Sequence, residues 1–322
     1  MALYLDHVVT TAESTRKEQK RDLILFHDFM VSVYDSDKVT SWTPRLSKMF
    51  KDYMVQSFNP DGHRRWSDVY VNRVVSHLKT FASWIESKQP FPLGNPMSGV
   101  KLIPVSSSLL IDRALTTQER NKMLDASDLL ILTGGLSKDH YRFRGKDPLS
   151  RSKRKLFRPY RDRAVVYTLI ETGMRRTAVS KIRIVDVDFN TSEILVLEKG
   201  GHSHLYMISS IGLAAIKDYI DKERSLDTDG SNPYLFVPVS HNNSSGRLSP
   251  CSINNIWNSI AARAGVEGKT CHSARHSMGR HIIDTKGNVA AVQRQLGHKN
   301  AAYSMQYMRV TKSEMKDILD RR

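Results

Sequence analysis

The stretch KQPFPLGNPMSGVKLIPVSSS, residues 88–108, sets the strongest limit on how this chain can fold. Its prolines at 90, 92, 96 and 104 each lock a backbone dihedral and remove a hydrogen-bond donor, and three serines close the stretch. No helix survives that density of breakers, so the stretch reads as an interdomain linker. A chain of 322 residues is long enough for about two domains of ordinary size. The expectation is a helical domain over residues 1–94, a linker over 95–110 and a second domain over 111–322.

Before the linker, apolar residues recur at helical spacing in three segments. One runs through residues 14–34 with Leu23, Phe26, Met30 and Val33 on its stripe. A second starts at Thr43-Pro44, where Thr caps and Pro suits the first helical position, and carries Leu46, Met49, Phe50 and Tyr53. The third starts near Ser67 and carries Val71, Val74, Val75, Leu78, Phe81 and Ile85. Basic residues occupy the polar faces, with Trp66, Tyr70 and Trp84 nearby.

After the linker, residues 115–130 resume a helical pattern. The segment 134–158, GGLSKDHYRFRGKDPLSRSKRKLFR, holds nine Lys or Arg against two Asp and few apolar residues. It reads as a loop suited to phosphate contact, with Lys138, Arg142, Arg144, Arg151, Lys153, Arg154, Lys155 and Arg158 as candidate DNA-binding residues. A solvated insertion with no partner is the plain alternative. RDRAVVYTLIETG then reads as a buried helix closed by Gly173 in the left-handed conformation.

From residue 187 the period changes to two: VDF, a turn at Asn190-Thr191-Ser192, EILVLE, a Gly200-Gly201 hairpin signal, and SHLYMIS. Helical patterns return near 210–224, 250–264, 272–284 and 288–296. The predicted fold class is mainly α with a small three-stranded antiparallel β-sheet, an α+β arrangement.

Charge narrows the partner. Lys plus Arg number 49 against 33 Asp plus Glu, a net of +16, which points to a polyanion such as nucleic acid. An anionic membrane surface is the weaker reading, because neither a basic amphipathic anchor nor an apolar run of about 20 residues stands out. The N-terminal MALYLDHVVTTAEST lacks a charged region followed by a long apolar one, so no secretory signal is expected and the chain reads as cytoplasmic. Two cysteines, Cys251 and Cys271, without a CxxC pair support neither a zinc ribbon nor a disulfide framework, and are expected reduced and structural.

Several short motifs carry chemistry. In TGMRRTAVSKI, Arg175 falls in the first turn of a helix, where a cation opposes the dipole, so local stability does not account for it. In HSARHSMGRHII, His272 and Arg275 share a helix face; His272 and His276 have metal-ligand spacing, but the HExxH pattern is absent, and no metal is expected. In LGHKNAAYSMQYMRV, Tyr303 and Tyr307 stand four apart, a spacing usual for a pair of packed aromatics.

Taken in order, TG-x-R at 172–175, Lys199 in EKGG, H-x-x-R at 272–275, LGH at 296–298 and Tyr307 nine residues after His298 resemble the tyrosine recombinase family. That family includes phage integrases, Xer-type resolvases and transposon-borne relatives. The text NP, GV and P followed by RALT, residues 95–116, resembles its join between core-binding and catalytic domains. The resemblance implies a SAM-like helical core-binding domain and a catalytic domain that together clamp DNA. It also implies a site-specific recombinase that cuts and rejoins strands through a covalent 3′-phosphotyrosyl intermediate, in integration, excision or resolution for a mobile element.

The chemistry fits those residue types. Cleavage loads negative charge on the non-bridging oxygens of a pentavalent phosphate, which suits planar bidentate donors, Arg175 and Arg275. By resemblance Tyr307 is the nucleophile and His272 accepts or shares its proton. Lys199 protonates the departing 5′-oxygen, and His298 bonds the phosphate. The phosphotyrosyl linkage keeps the phosphodiester energy, so neither metal nor cofactor is expected.

The implied partners are duplex DNA with paired inverted sites, a homotetramer in the synaptic complex and an accessory DNA-bending or directionality protein. The implied location is the nucleoid. Two departures stand out: Ala178 occupies the position where the family usually carries an acid that orients the first arginine, and His202, followed by His204, replaces a second hairpin lysine. The tail TKSEMKDILDRR has capping-box spacing and a short apolar stripe, and reads as a helix that docks in cis or on a neighbouring protomer. A catalytically inactive sequence-specific DNA-binding protein and a type IB topoisomerase-like enzyme remain alternatives.

Overall fold

The computed structural model describes residues 1–7, 13–105, 113–133, 157–198, 201–228, 230–239, 246–297, 300–305, 307 and 320. The chain divides into two compact units, Met1–Ser107 and Ser108–Arg322.

The first unit contains α1 (Ala2–His7), α2 (Glu13–Tyr34), α3 (Pro44–Gln56) and α4 (Asp68–Lys88). The starts of α3 and α4 follow from capping. Thr43 accepts from the Leu46 amide with Pro44 at the first helical position, and Ser67 accepts from the Tyr70 amide. The buried stripes are Leu23, Phe26 and Met30 on α2, Leu46, Phe50 and Met54 on α3, and Val71, Val74, Val75, Leu78, Ala82 and Ile85 on α4. Val33, Met49 and Tyr53 stay exposed, because the α3 stripe runs through Met54 and α2 leaves the core at its last turn. Inside this core Asp22 is fully buried and takes bonds from Arg73 and His77 Nδ1, the latter at 2.8 Å. Burial pushes its carboxyl up, but the His77 and Arg73 bonds outweigh that and hold it below the ordinary value.

The proline-rich stretch lies almost wholly in the first unit, and its first part is packed. Phe91, Met97 and Val100 are buried in the helical core, and Asn72 clasps the Ile103 backbone through both its amide atoms at 2.8 Å. Prolines forbid a helix here; they do not forbid burial of the apolar residues between them.

The second unit contains α5 (Thr117–Thr133), α6 (Pro159–Thr172), α7 (Arg176–Val179), α8 (Ser210–Lys222), α9 (Pro250–Ala264), α10 (Cys271–Lys286), α11 (Val289–Leu296) and α12 (Ala301–Met305). Strands β1 (Val187–Asp188), β2 (Glu193–Leu197) and β3 (Ser203–Met207) form an antiparallel sheet in that order, with Ile194 opposite Tyr206 and Leu195 opposite Leu205. Ile194, Val196 and Tyr206 point into the core. Helix α6 is buried nearly all round as a central rod, its buried residues including the paired Arg161 and Asp162 as well as the apolar run Ala164–Val166. Among the described residues no helix is long and apolar enough to cross a membrane.

Candidate active site

The site collects around the C-terminal end of α6. Gly173 closes that helix with φ 69°, and a side chain there would meet Leu296 at 2.7 Å and Met278 at 2.9 Å. Only glycine lets α6, α10 and α11 approach this closely while the chain reverses. Two residues on, Arg175 is the N-cap of α7 in extended conformation, without a side-chain cap bond. Its Nη1 lies 2.5 Å from Glu198 Oε2, and its side chain is 41% exposed.

Arg275 comes from the first turns of α10, whose start is fixed by a capping box between Thr270 and Ser273. It is buried, at 2% exposure, and donates to the carbonyls of Gly173 (3.0 Å) and Leu296. Both acceptors belong to helix C-terminal ends, those of α6 and α11, where a cation is favoured. Burial, then the charge of Arg175, act to lower its pKa.

Tyr307 is half-buried. Its ring lies across Gly279 of α10: a Cβ there would stand 2.8 Å from Tyr307 Cε2 and Cζ. Its hydroxyl is 3.2 Å from His276 Nδ1. Burial pushes the phenol above its ordinary pKa, while Arg275 and Arg175 pull the other way. At neutral pH the hydroxyl therefore keeps its proton until a base takes it. His272 stacks edge-on against His276, with ring centroids 4.7 Å apart. Desolvation, then Arg275, Arg175, Arg113 and Arg176, lower its pKa, so the ring is neutral at pH 7.

Of the residues named from sequence, Arg175 and Arg275 thus act electrostatically on both His272 and Tyr307. Lys199 and His298 lie outside the described residues, as do Lys138, Arg142, Arg144, Arg151, Lys153, Arg154, Lys155 and the tail over 311–319.

Three expectations need correction. Arg158 is not a phosphate-seeking surface cation: it is buried at the start of α6 and bidentate to Asp227, with Nε–Oδ2 at 2.7 Å and Nη2–Oδ1 at 2.5 Å. Tyr303 is not a packed aromatic, being 59% exposed. Cys251 is exposed, whereas burial pushes the Cys271 thiol up to about 12.

Sequence reasoning missed three contributors. In the sequence His276 shows only metal-ligand spacing to His272, Gly279 is a lone glycine, and Glu198 is no more than the neighbour of Lys199. The signal for Gly279 was a glycine inside a helical pattern, which calls for a close approach.

Residues 152–314 match the model of the phage integrase family. Tyrosine recombinase XerC of Halalkalibacterium halodurans is 24% identical over 330 residues, covering 98% of this chain and 93% of that protein. Tyrosine recombinase XerA of Pyrococcus furiosus is 32% identical over 162 residues, covering 50% of this chain and 54% of the relative. The XerH site-specific recombinase bound to palindromic difH substrate superposes with a TM-score of 0.72 at 17% identity, over 95% of this chain and 79% of that one. Family match and shared fold together make this chain a member of the phage integrase family, the tyrosine recombinases.

Proposed function

We propose that the chain is a site-specific DNA recombinase that breaks and rejoins strands through a 3′-phosphotyrosyl intermediate on Tyr307. One observation carries this reading: Arg175, the α10 pair His272 and Arg275, and Tyr307 come from three separate segments of the chain and converge at the end of α6. The names of the relatives, tyrosine recombinases and a recombinase bound to its DNA site, support it.

In cleavage the Tyr307 oxygen attacks the scissile phosphorus. The Oη–P bond forms as the bond from phosphorus to the 5′-oxygen breaks. His276 Nδ1, already 3.2 Å from the hydroxyl, takes the phenolic proton. Arg175 and Arg275 bind the non-bridging oxygens, whose charge grows in the transition state. Neutral His272 donates a hydrogen bond to the phosphate beside them. Lys199, which follows Glu198 in the hairpin, protonates the 5′-oxygen, and His298, which follows Gly297, adds a further donor. Rejoining is the reverse: a 5′-hydroxyl attacks the phosphotyrosyl bond, whose energy was never lost, so no nucleotide is consumed.

The first unit grips the core DNA, the basic segment between α5 and α6 contacts flanking phosphates, and four protomers act on paired inverted sites with the help of a DNA-bending or directionality protein. The DNA to use is the host sequence recovered covalently attached to the protein. On a nicked duplex carrying that site, a protein–DNA adduct forms in buffer and equally in excess chelator, and two such duplexes exchange strands. No adduct would overturn the reading; adduct without exchange would point to a topoisomerase.

A further inference from the structure

We infer that Glu198, seated by Tyr206, is the positioning residue that sets Arg175 against Arg275, an assignment that rests on the recombinase reading above. Arg175 has an unfavourable address. It caps a four-residue helix, where the dipole disfavours a cation, and its long side chain is part exposed. It also faces Arg275, a second cation. Nothing nearby on its own element corrects this: Ala178, one turn on, is a buried methyl. The correction comes from the sheet.

Glu198 stands at the base of the β2–β3 hairpin, fixed by its own backbone. Its amide donates to His202 O at 2.8 Å and its carbonyl accepts from the Gly201 amide. Both carboxylate oxygens are engaged. Oε2 takes Arg175 Nη1 at 2.5 Å, and Oε1 takes the hydroxyl of Tyr206. Tyr206 is itself fully buried on β3, and its hydroxyl adjoins the Arg275 guanidinium.

The result is a continuous path, Arg175 to Glu198 to Tyr206 to Arg275, spanning the α7 cap, the hairpin and α10. Among the described residues Glu198 is the sole carboxylate bonded to Arg175. A guanidinium has five N–H donors, so one bond to Glu198 leaves the exposed edge for phosphate. The same carboxylate immediately precedes Lys199 in the chain. Glu198 therefore ties the placement of the arginine clamp to the hairpin that carries the proposed proton donor.

The test uses the full-length protein and single-turnover adduct formation on the nicked duplex described above. Adduct formed by the wild type checks the recombinase reading, and its absence overturns that reading; the variants check this one. Glu198→Gln is expected to slow adduct formation by about 10- to 100-fold, the range for lost outer-shell partners, with DNA affinity and thermal midpoint close to wild type. Glu198→Asp, which keeps the charge, restores part of the rate. In an Arg175→Lys background the same Glu198→Gln change alters the residual rate by no more than about twofold, because the two residues act as a unit. Tyr206→Phe removes only the hydroxyl, lowers the rate in the same direction, and carries the comparison if Glu198→Gln does not fold. Equal losses in both backgrounds, no loss, or a gain from release of a competitor for the phosphate site would overturn the assignment.

Discussion

Replacing Gly279 by alanine separates stability from activity in a way the geometry makes quantitative. The added methyl would stand 2.8 Å from two ring carbons of Tyr307. Non-bonded carbons rest about 3.5–4.0 Å apart, so the ring must retreat by roughly 1 Å. The ring is half-buried and at the end of a side chain, so it can move without disturbing the core. Alanine is also favoured over glycine inside a helix by about 1 kcal/mol. The thermal midpoint of Gly279→Ala should therefore hold or rise. Cleavage should fall, because a misplacement of about 1 Å at a reacting group costs on the order of 100-fold, or about 2.7 kcal/mol of activation free energy. Single-turnover adduct formation on a nicked duplex measures the loss, and thermal melting checks the fold. Wild-type cleavage by a folded Gly279→Ala variant would refute the reasoning, since the ring would then work from some other seat.

Other outcomes follow from the same contacts. His276→Leu removes the imidazole 3.2 Å from the phenol and should slow cleavage by about 10²- to 10⁴-fold, the usual range for a general base; a loss confined to His272→Leu would return that role to His272. The His272 ring, followed by NMR, should protonate with a midpoint below the ordinary histidine value of about 6.5, because desolvation and four arginines favour its neutral form; a midpoint at or above that value contradicts the described environment. Protonation lost on folding makes the native state weaker as pH falls below 6.5, the sign opposite to that of a histidine paired with a carboxylate. Asp227→Ala strands the buried Arg158 cation and should cost about 3–5 kcal/mol in urea unfolding of the second unit; a change near zero would mean that Arg158 finds water or another partner.

Much of the fold could be read from residue patterns, because the strongest signals were local. Thr43-Pro44 and Ser67 mark helix starts through bonds within one turn, Gly173 and Gly297 mark helix ends through positive φ, and the period-two runs around Gly200-Gly201 mark a hairpin. What could not be read depends on tertiary contact. Arg158 and Arg175 look alike as arginines beside helix starts; a carboxylate 69 residues away buries one, and a carboxylate 23 residues away orients the other while leaving it half open. Tyr303 and Tyr307 share a helical face by spacing, but only Tyr307 meets the bare backbone of Gly279. His272 and His276 likewise share a helix face by spacing, and it is His276 whose Nδ1 meets the Tyr307 hydroxyl.

The central claim is that Tyr307, and not Tyr303, carries the DNA. Trypsin cuts after Lys299 and Arg309, which frees residues 300–309 as one peptide bearing both tyrosines. Adduct trapped on the nicked duplex, digested with nuclease and trypsin and fragmented in a mass spectrometer, should place the residual nucleotide on Tyr307, with no adduct from Tyr307→Phe and undiminished adduct from Tyr303→Phe. A nucleotide found on Tyr303, or an adduct that survives Tyr307→Phe, would contradict the account.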